Sequence, residues 1–148
     1  MSDKILIIDD ERDFIELIRW NLSGGDYEIL TAESGMTGLH MARRHLPDVI
    51  LLDLALPDID GLSVCEILRK QPSTADIPVV MVTARCGELT RAHAADSGAC
   101  HYLSKPFDRQ SLVSCVERLL RERDAKLEAE ALAPEGALLS PSDPRQDA

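Results

Sequence analysis

The sequence predicts an α/β fold: a parallel five-stranded sheet, doubly wound, with helices on both faces. Three observations lead there. Five short apolar runs recur along the chain: ILII (5–8), YEILTA (27–32), VILLD (49–53), IPVVMVTA (77–84) and CHYLS (100–104). Segments with helical spacing lie between them and after the last, and such alternation builds parallel sheets through right-handed crossovers. Polar residues also punctuate the ends of the runs, at Asp9-Asp10, Asp53, Thr83 and Lys105-Pro106. A doubly wound sheet carries its binding site at that edge.

Each element has its own justification. Ile5 to Ile8 are apolar without a break, as expected of a strand buried on both faces. The first helix places Phe14, Leu17, Ile18 and Leu22 on one face, with Gly24-Gly25 as its stop. The second runs from about Ser34 to His45 and includes Met36, Leu39 and Met41. The third, Leu62 to Lys70, offers Val64, Ile67 and Leu68 for burial, while the fourth, Glu88 to Ser97, is richer in alanine and charge than in large apolar residues. The fifth begins after Pro106 and is striped by Leu112, Val113, Val116, Leu119 and Leu120.

The chain changes character near Glu122. RERDAKLEAEALA stays compatible with a helix because its residues are good helix formers. PEGALLSPSDPRQDA then brings three prolines among polar residues, a composition that favours disorder. The expected organisation is a domain over residues 1–121, a helix overhang over 122–133 and a flexible tail or linker over 134–148. There is no second core and no internal repeat.

Composition narrows the function. At 148 residues the chain suits one domain. A formal charge of −10 argues against binding nucleic acid through its phosphates, which needs a basic face, and suits a cation site. No apolar stretch approaches the roughly 20 residues that span a bilayer, and the N-terminus lacks a signal-peptide pattern. Four cysteines without CxxC pairing read as reduced thiols of a cytoplasmic protein, with Cys65 and Cys115 in the core.

The strand ends carry the chemistry. Two carboxylates about 4 Å apart repel by roughly 1 to 4 kcal/mol between the dielectrics of water and a protein surface, so Asp9-Asp10 at the end of a buried strand needs compensation. Taken singly, an aspartate at a strand-to-helix junction is ordinarily an N-cap, a threonine there is structural and a lysine is solvated. Together, the parallel topology brings three carboxylates, a hydroxyl and an ammonium to one edge. Clustered carboxylates call for a cation, and oxygen ligands with room for water suit Mg²⁺.

IIDDE, PDVILLDLALPDIDGL, IPVVMVTA and YLSKPF, in this order and spacing, resemble the receiver domain of bacterial two-component response regulators, over roughly residues 3–121. The resemblance implies a flavodoxin-like (βα)5 sandwich. Its strand order, 2-1-3-4-5, is carried over from a common doubly wound arrangement of which a chemotaxis receiver is itself an example. It further implies that Asp53 is the phosphoacceptor, that Asp9, Asp10, Asp53 and the Ala55 carbonyl hold Mg²⁺, and that Thr83 and Lys105 bind the phosphoryl group. Tyr102 matches the aromatic switch that moves with Thr83, and Pro106 the cis-proline that aims Lys105 into the site.

The partners implied are a sensor histidine kinase or histidine phosphotransfer protein upstream and an output domain or target protein downstream. A phosphorylation-dependent homodimer is also in scope. The output is a surface of the fourth helix, fifth strand and fifth helix, so the chain is a signalling phosphoacceptor that assists its own phosphorylation and dephosphorylation, not an enzyme acting on other molecules. It carries no DNA-binding segment and no membrane anchor.

Other readings compete. A haloacid-dehalogenase-like phosphatase wants a second acid two residues after the nucleophile, where Ala55 stands. A flavodoxin-like cofactor binder wants a phosphate-cradling loop where this chain is acidic. A pseudo-receiver serving only for interaction usually has a broken acidic site. Ala55 and Arg85 stand where side chains influence hydrolysis in the family, and an alanine cannot orient water, so slow self-dephosphorylation is expected. Cys86 reads as a bystander. Phe14 and Phe107 suit either core packing or a docking surface, and Trp20 falls off the buried stripe.

Overall fold

A computed structural model of the chain describes residues 2–84 and 87–132; Arg85, Cys86 and the tail expected over 134–148 lie outside the described residues. The elements alternate strictly: β1 (Asp3–Ile8), α1 (Arg12–Asn21), β2 (Tyr27–Ala32), α2 (Gly35–His45), β3 (Val49–Leu52), α3 (Gly61–Lys70), β4 (Val79–Thr83), α4 (Glu88–Asp96), β5 (His101–Ser104) and α5 (Arg109–Leu132). All strand pairs are parallel, in the order β2-β1-β3-β4-β5.

The central strands are buried on both faces, which is why they read as unbroken apolar runs. Ile5 to Ile8 and Val49 to Leu52 are all inaccessible or nearly so. Alternate residues point to opposite sides. Leu6, Ile8, Ile50, Leu52, Val79 and Met81 share one core with Leu39 and Ala42 of α2, Val64, Cys65 and Leu68 of α3, and Ala94 of α4. Among the described side chains of α4, the small Ala94 packs into this core. Right-handed crossovers in this order put α1 on the other side.

α1 departs from the expected face. Ile15, Ile18 and Leu22 are buried, Phe14 is half-buried, and Leu17 is 40% exposed. The buried set follows the i, i+3, i+7 positions of one helical stripe, and Leu17 lies one residue, about 100° around the helix, from Ile18. The helix also stops before Gly24-Gly25. It ends at Asn21, where the Leu22 amide bonds the Ile18 carbonyl and the Ser23 hydroxyl bonds the Trp20 carbonyl at 2.7 Å.

The chain comprises two compact units, residues 1–116 and 117–148. In the second, the described residues continue α5 to Leu132, with Arg118 and Glu122 paired across one turn at 3.8 Å and Leu127 and Leu132 exposed. Among the described residues no helix is long and apolar enough to cross a membrane.

Candidate functional site at the carboxyl ends of the strands

Strand register assembles the site. Ile8 pairs with both Ala32 and Leu52, and Leu52 pairs with Met81. The next residues, Asp9 and Asp53, therefore leave the sheet side by side. Their backbones stay tied to it: the Asp9 amide donates to the Ala32 carbonyl and the Asp53 amide to the Ile8 carbonyl, each at 3.0 Å. Thr83 pairs with Ser104 and is buried, and its carbonyl accepts the Lys105 amide at 2.8 Å. The peptide from Lys105 to Pro106 is cis.

Lys105 is the hub. Its side chain is 2% exposed. Its Nζ donates to Asp9 Oδ2 at 2.7 Å, Glu11 Oε1 at 3.0 Å and Asp53 Oδ2 at 3.3 Å. The same ammonium lies 4.0 Å from the centroid of the Phe14 ring, which tilts against Phe107 at 6.4 Å. A cation over an aromatic face is attracted by the ring quadrupole. Phe14 and Phe107 therefore form an apolar wall beside the charges.

Asp9, Asp10 and Asp53 each offer a carboxylate oxygen, and these oxygens lie within 4.8 Å of one another. Asp10 is exposed and the other two are buried. Asp9 Oδ1 accepts the Glu11 amide at 2.9 Å, and Asp53 Oδ1 accepts the Ala55 amide at 3.3 Å. Burial pushes the Asp9 carboxyl above its ordinary value, and repulsion from Asp53 adds to this, against the hydrogen bonds from Lys105 and the Glu11 amide. Burial pulls Lys105 down, yet the hydrogen bonds to Asp9 and Glu11 and the negative charge of Asp53 prevail and raise it. Burial thus opposes the charged form of both groups, and only in Lys105 do the surrounding carboxylates outweigh it.

The residues fit a hard divalent cation: three carboxylates converge, one of them open to water, and the set is all oxygen. A family model for the response regulator receiver domain matches residues 5–117. The chain belongs to that family.

Its relatives agree. This receiver is 43% identical over 121 residues to the DNA-binding dual master transcriptional regulator RpaA of a Synechocystis species, an alignment covering 82% of this chain and 50% of RpaA. A solved protein of Chloroflexus aurantiacus assigned as a response regulator is 35% identical, with a TM-score of 0.78 over 82% of this chain and 99% of that one. The receiver domain of the sensor histidine kinase PA1611 of Pseudomonas aeruginosa, solved with a magnesium ion coordinated in its active-site cleft, is 28% identical at a TM-score of 0.75, covering 81% and 98% of the two chains. The receiver spans from about a quarter to just over half the length of the curated relatives it matches.

The fold brings Asp9, Asp10, Asp53 and Lys105 of the sequence-derived set into one cluster, with Thr83 and Ala55 at the adjoining strand end and loop. Tyr102 is the switch residue that the resemblance implied. It is half-buried on β5, where the Arg91 guanidinium of α4 lies 5.1 Å from its ring centroid. Sequence reasoning passed over Glu11, although it adjoins the acidic pair; only the fold shows that it reaches Lys105. It also left Asp58, in the loop after β3, without a role.

Proposed function

We propose that this receiver takes a phosphoryl group from a phosphohistidine onto Asp53, as the input step of two-component signalling. The observation that carries the reading is the buried Asp53 carboxylate, held beside Asp9 and Asp10 and in contact with the Lys105 ammonium. In the transfer, an Asp53 oxygen forms a bond to phosphorus as the donor's phosphorus–nitrogen bond breaks. Phosphoryl transfer chiefly needs alignment and charge stabilisation.

Asp9, Asp10, Asp53 and the Ala55 carbonyl would hold Mg²⁺, which supplies charge neutralisation at the transferred group. The magnesium in the active-site cleft of the Pseudomonas receiver supports that choice of cation. Lys105 then exchanges carboxylate partners for a phosphoryl oxygen, and the Thr83 hydroxyl turns toward the same group. Tyr102 follows Thr83, which shifts the surface of α4, β5 and α5 between two states. The donor is a histidine kinase or histidine phosphotransfer protein. The recipient of the signal is an output domain or a separate target, with a phosphorylation-dependent homodimer as one form of output.

In this reading residues 1–121 form the receiver, and 122–148 are its helix overhang and tail or linker. The chain works in the cytoplasm as a signalling domain, not as an enzyme on other substrates, and any nucleic-acid contact belongs to another domain or chain. Native mass spectrometry after incubation with acetyl phosphate, with and without Mg²⁺, tests the chemistry. One Mg²⁺-dependent adduct, absent from Asp53→Asn, is expected. No adduct from acetyl phosphate or from a phosphohistidine donor would overturn the reading.

A further inference from the structure

The loop between β3 and α3 starts at the proposed phosphoacceptor and is tied down at both ends. At its far end Asp60 N-caps α3, accepting the Ser63 amide at 2.8 Å. The chain closes on itself, with the Leu56 and Gly61 amides both donating to the Leu54 carbonyl, at 3.2 and 2.9 Å. Gly61 packs so closely that a Cβ there would lie 2.3 Å from the Asp53 carbonyl oxygen.

The middle of the loop is held by a different helix. Asp58 Oδ1 accepts the Gly35 amide at 2.8 Å, and its Oδ2 accepts the Met36 amide at 2.9 Å. These are the first two amides of α2, which have no partner within the helix. The third, Thr37, is capped at 3.2 Å by the hydroxyl of Ser34, the N-cap residue itself. The division of labour is informative, because the local residue satisfies one donor and a residue from across the fold satisfies two. The loop also lies directly on the helix end: a Cβ on Gly35 would fall 2.1 Å from Ile59 Cγ2.

We propose that Asp58 is a positioning residue for the strand-end cluster, capping α2 so as to pin the loop that presents Asp53 and the Ala55 carbonyl to a bound cation. The inference rests on the phosphoacceptor reading above. Ala55 stands between Asp53 and Asp58, and the loop's own bonds, from the Leu56 and Gly61 amides to the Leu54 carbonyl, tie it only to itself. Asp58 adds the hold on a second element, α2, that fixes the loop against the sheet edge.

Mg²⁺ affinity by isothermal titration calorimetry on the full chain tests this, together with hydrogen exchange of the metal-free protein at the Leu56 and Gly61 amides. Wild type is compared with Asp58→Ala, Asp58→Asn and Ser34→Ala; the last removes a cap from the same helix without touching the loop. Asp58→Ala is expected to weaken Mg²⁺ by roughly three- to tenfold, at or below the low end of the range for groups that orient ligands directly. It should also speed exchange at both loop amides. Asp58→Asn keeps one acceptor oxygen and falls between, and Ser34→Ala leaves both readouts at wild-type values.

If Asp58→Ala and Ser34→Ala lower the melting temperature alike while Mg²⁺ affinity and loop exchange stay unchanged, Asp58 is only a helix cap and the inference fails. Should Asp58→Ala not fold, Asp58→Asn decides by the same two readouts. A wild-type chain that binds no Mg²⁺ overturns the cation reading and this inference with it, a result distinct from a variant that matches a binding-competent wild type.

Discussion

Asp9 and Asp58 are the same residue in two regions of one molecule, and their surroundings push them in opposite directions. Asp9 ends β1 among other carboxylates, buried, and its carboxyl is raised above the ordinary value of 3.8. Asp58 sits exposed on the N-terminus of α2, and the Met36 amide, with that of Gly35, lowers it below the same value. Near Asp9 acceptors outnumber donors, whereas Asp58 meets backbone donors that nothing else satisfies. The first region gathers three carboxylate oxygens within 4.8 Å of one another, a set that fits a cation. The second is already complete.

The largest effect should come from breaking the charge balance at the strand ends. Lys105→Ala leaves Asp9 and Asp53 buried without their ammonium, and should destabilise the metal-free chain by about 3 kcal/mol in urea unfolding. Saturating Mg²⁺ should restore most of that loss. If the variant is as stable as wild type without metal, the excess of negative charge is not what strains this region.

Gly61→Ala probes the loop joining the two regions. Its new Cβ meets backbone atoms of Asp53 and Leu54, which cannot swing aside as a flexible side chain would. A loss of about 1–3 kcal/mol is expected, accompanied by weaker Mg²⁺ binding. Stability falling with unchanged Mg²⁺ affinity would show that the cluster tolerates movement of its supporting loop.

Proton linkage separates the two aspartates by sign. Asp9 is raised in the fold, so its contribution is fully present below the unfolded value near 3.8 and is lost as pH rises through the folded value. Asp58 is lowered, so its contribution is present above 3.8 and is lost as pH falls through the folded value. In metal-free unfolding curves, Asp9→Asn should remove a decline of stability that sets in as pH rises above 3.8. Asp58→Asn should instead remove a decline that sets in toward strong acid. Variants that shift stability equally at every pH would contradict both assignments.

The smallest effect belongs to a residue in neither region. Trp20 is 72% exposed on α1, and Trp20→Ala should change unfolding free energy by less than about 0.5 kcal/mol. A larger loss would mean that Trp20 packs in solution against something outside the described residues.

Much of this is legible in the sequence. The apolar runs located five strands because a parallel sheet covered on both faces has no polar side to interrupt them. The strand-end position of Asp9, Asp10, Asp53, Thr83 and Lys105 followed from the alternation alone, since parallel strands all end at one edge. Less was legible in α1. The apolar pattern admits Leu17 to the stripe, and the glycine pair lies past the true stop, because Ser23 and the Leu22 backbone end the helix first.

The sequence by itself determined the fold class and the edge at which its charges gather, because period and punctuation are local properties of the chain. The tertiary structure alone decided which charges touch. Lys105 is 94 to 96 residues from Glu11 and Asp9, and Asp58 is 22 to 23 residues from the amides it caps. No spacing rule reaches so far. Strand register and the crossing of the loop over α2 choose those partners, and with them the burial that raises Asp9 and the backbone donors that lower Asp58.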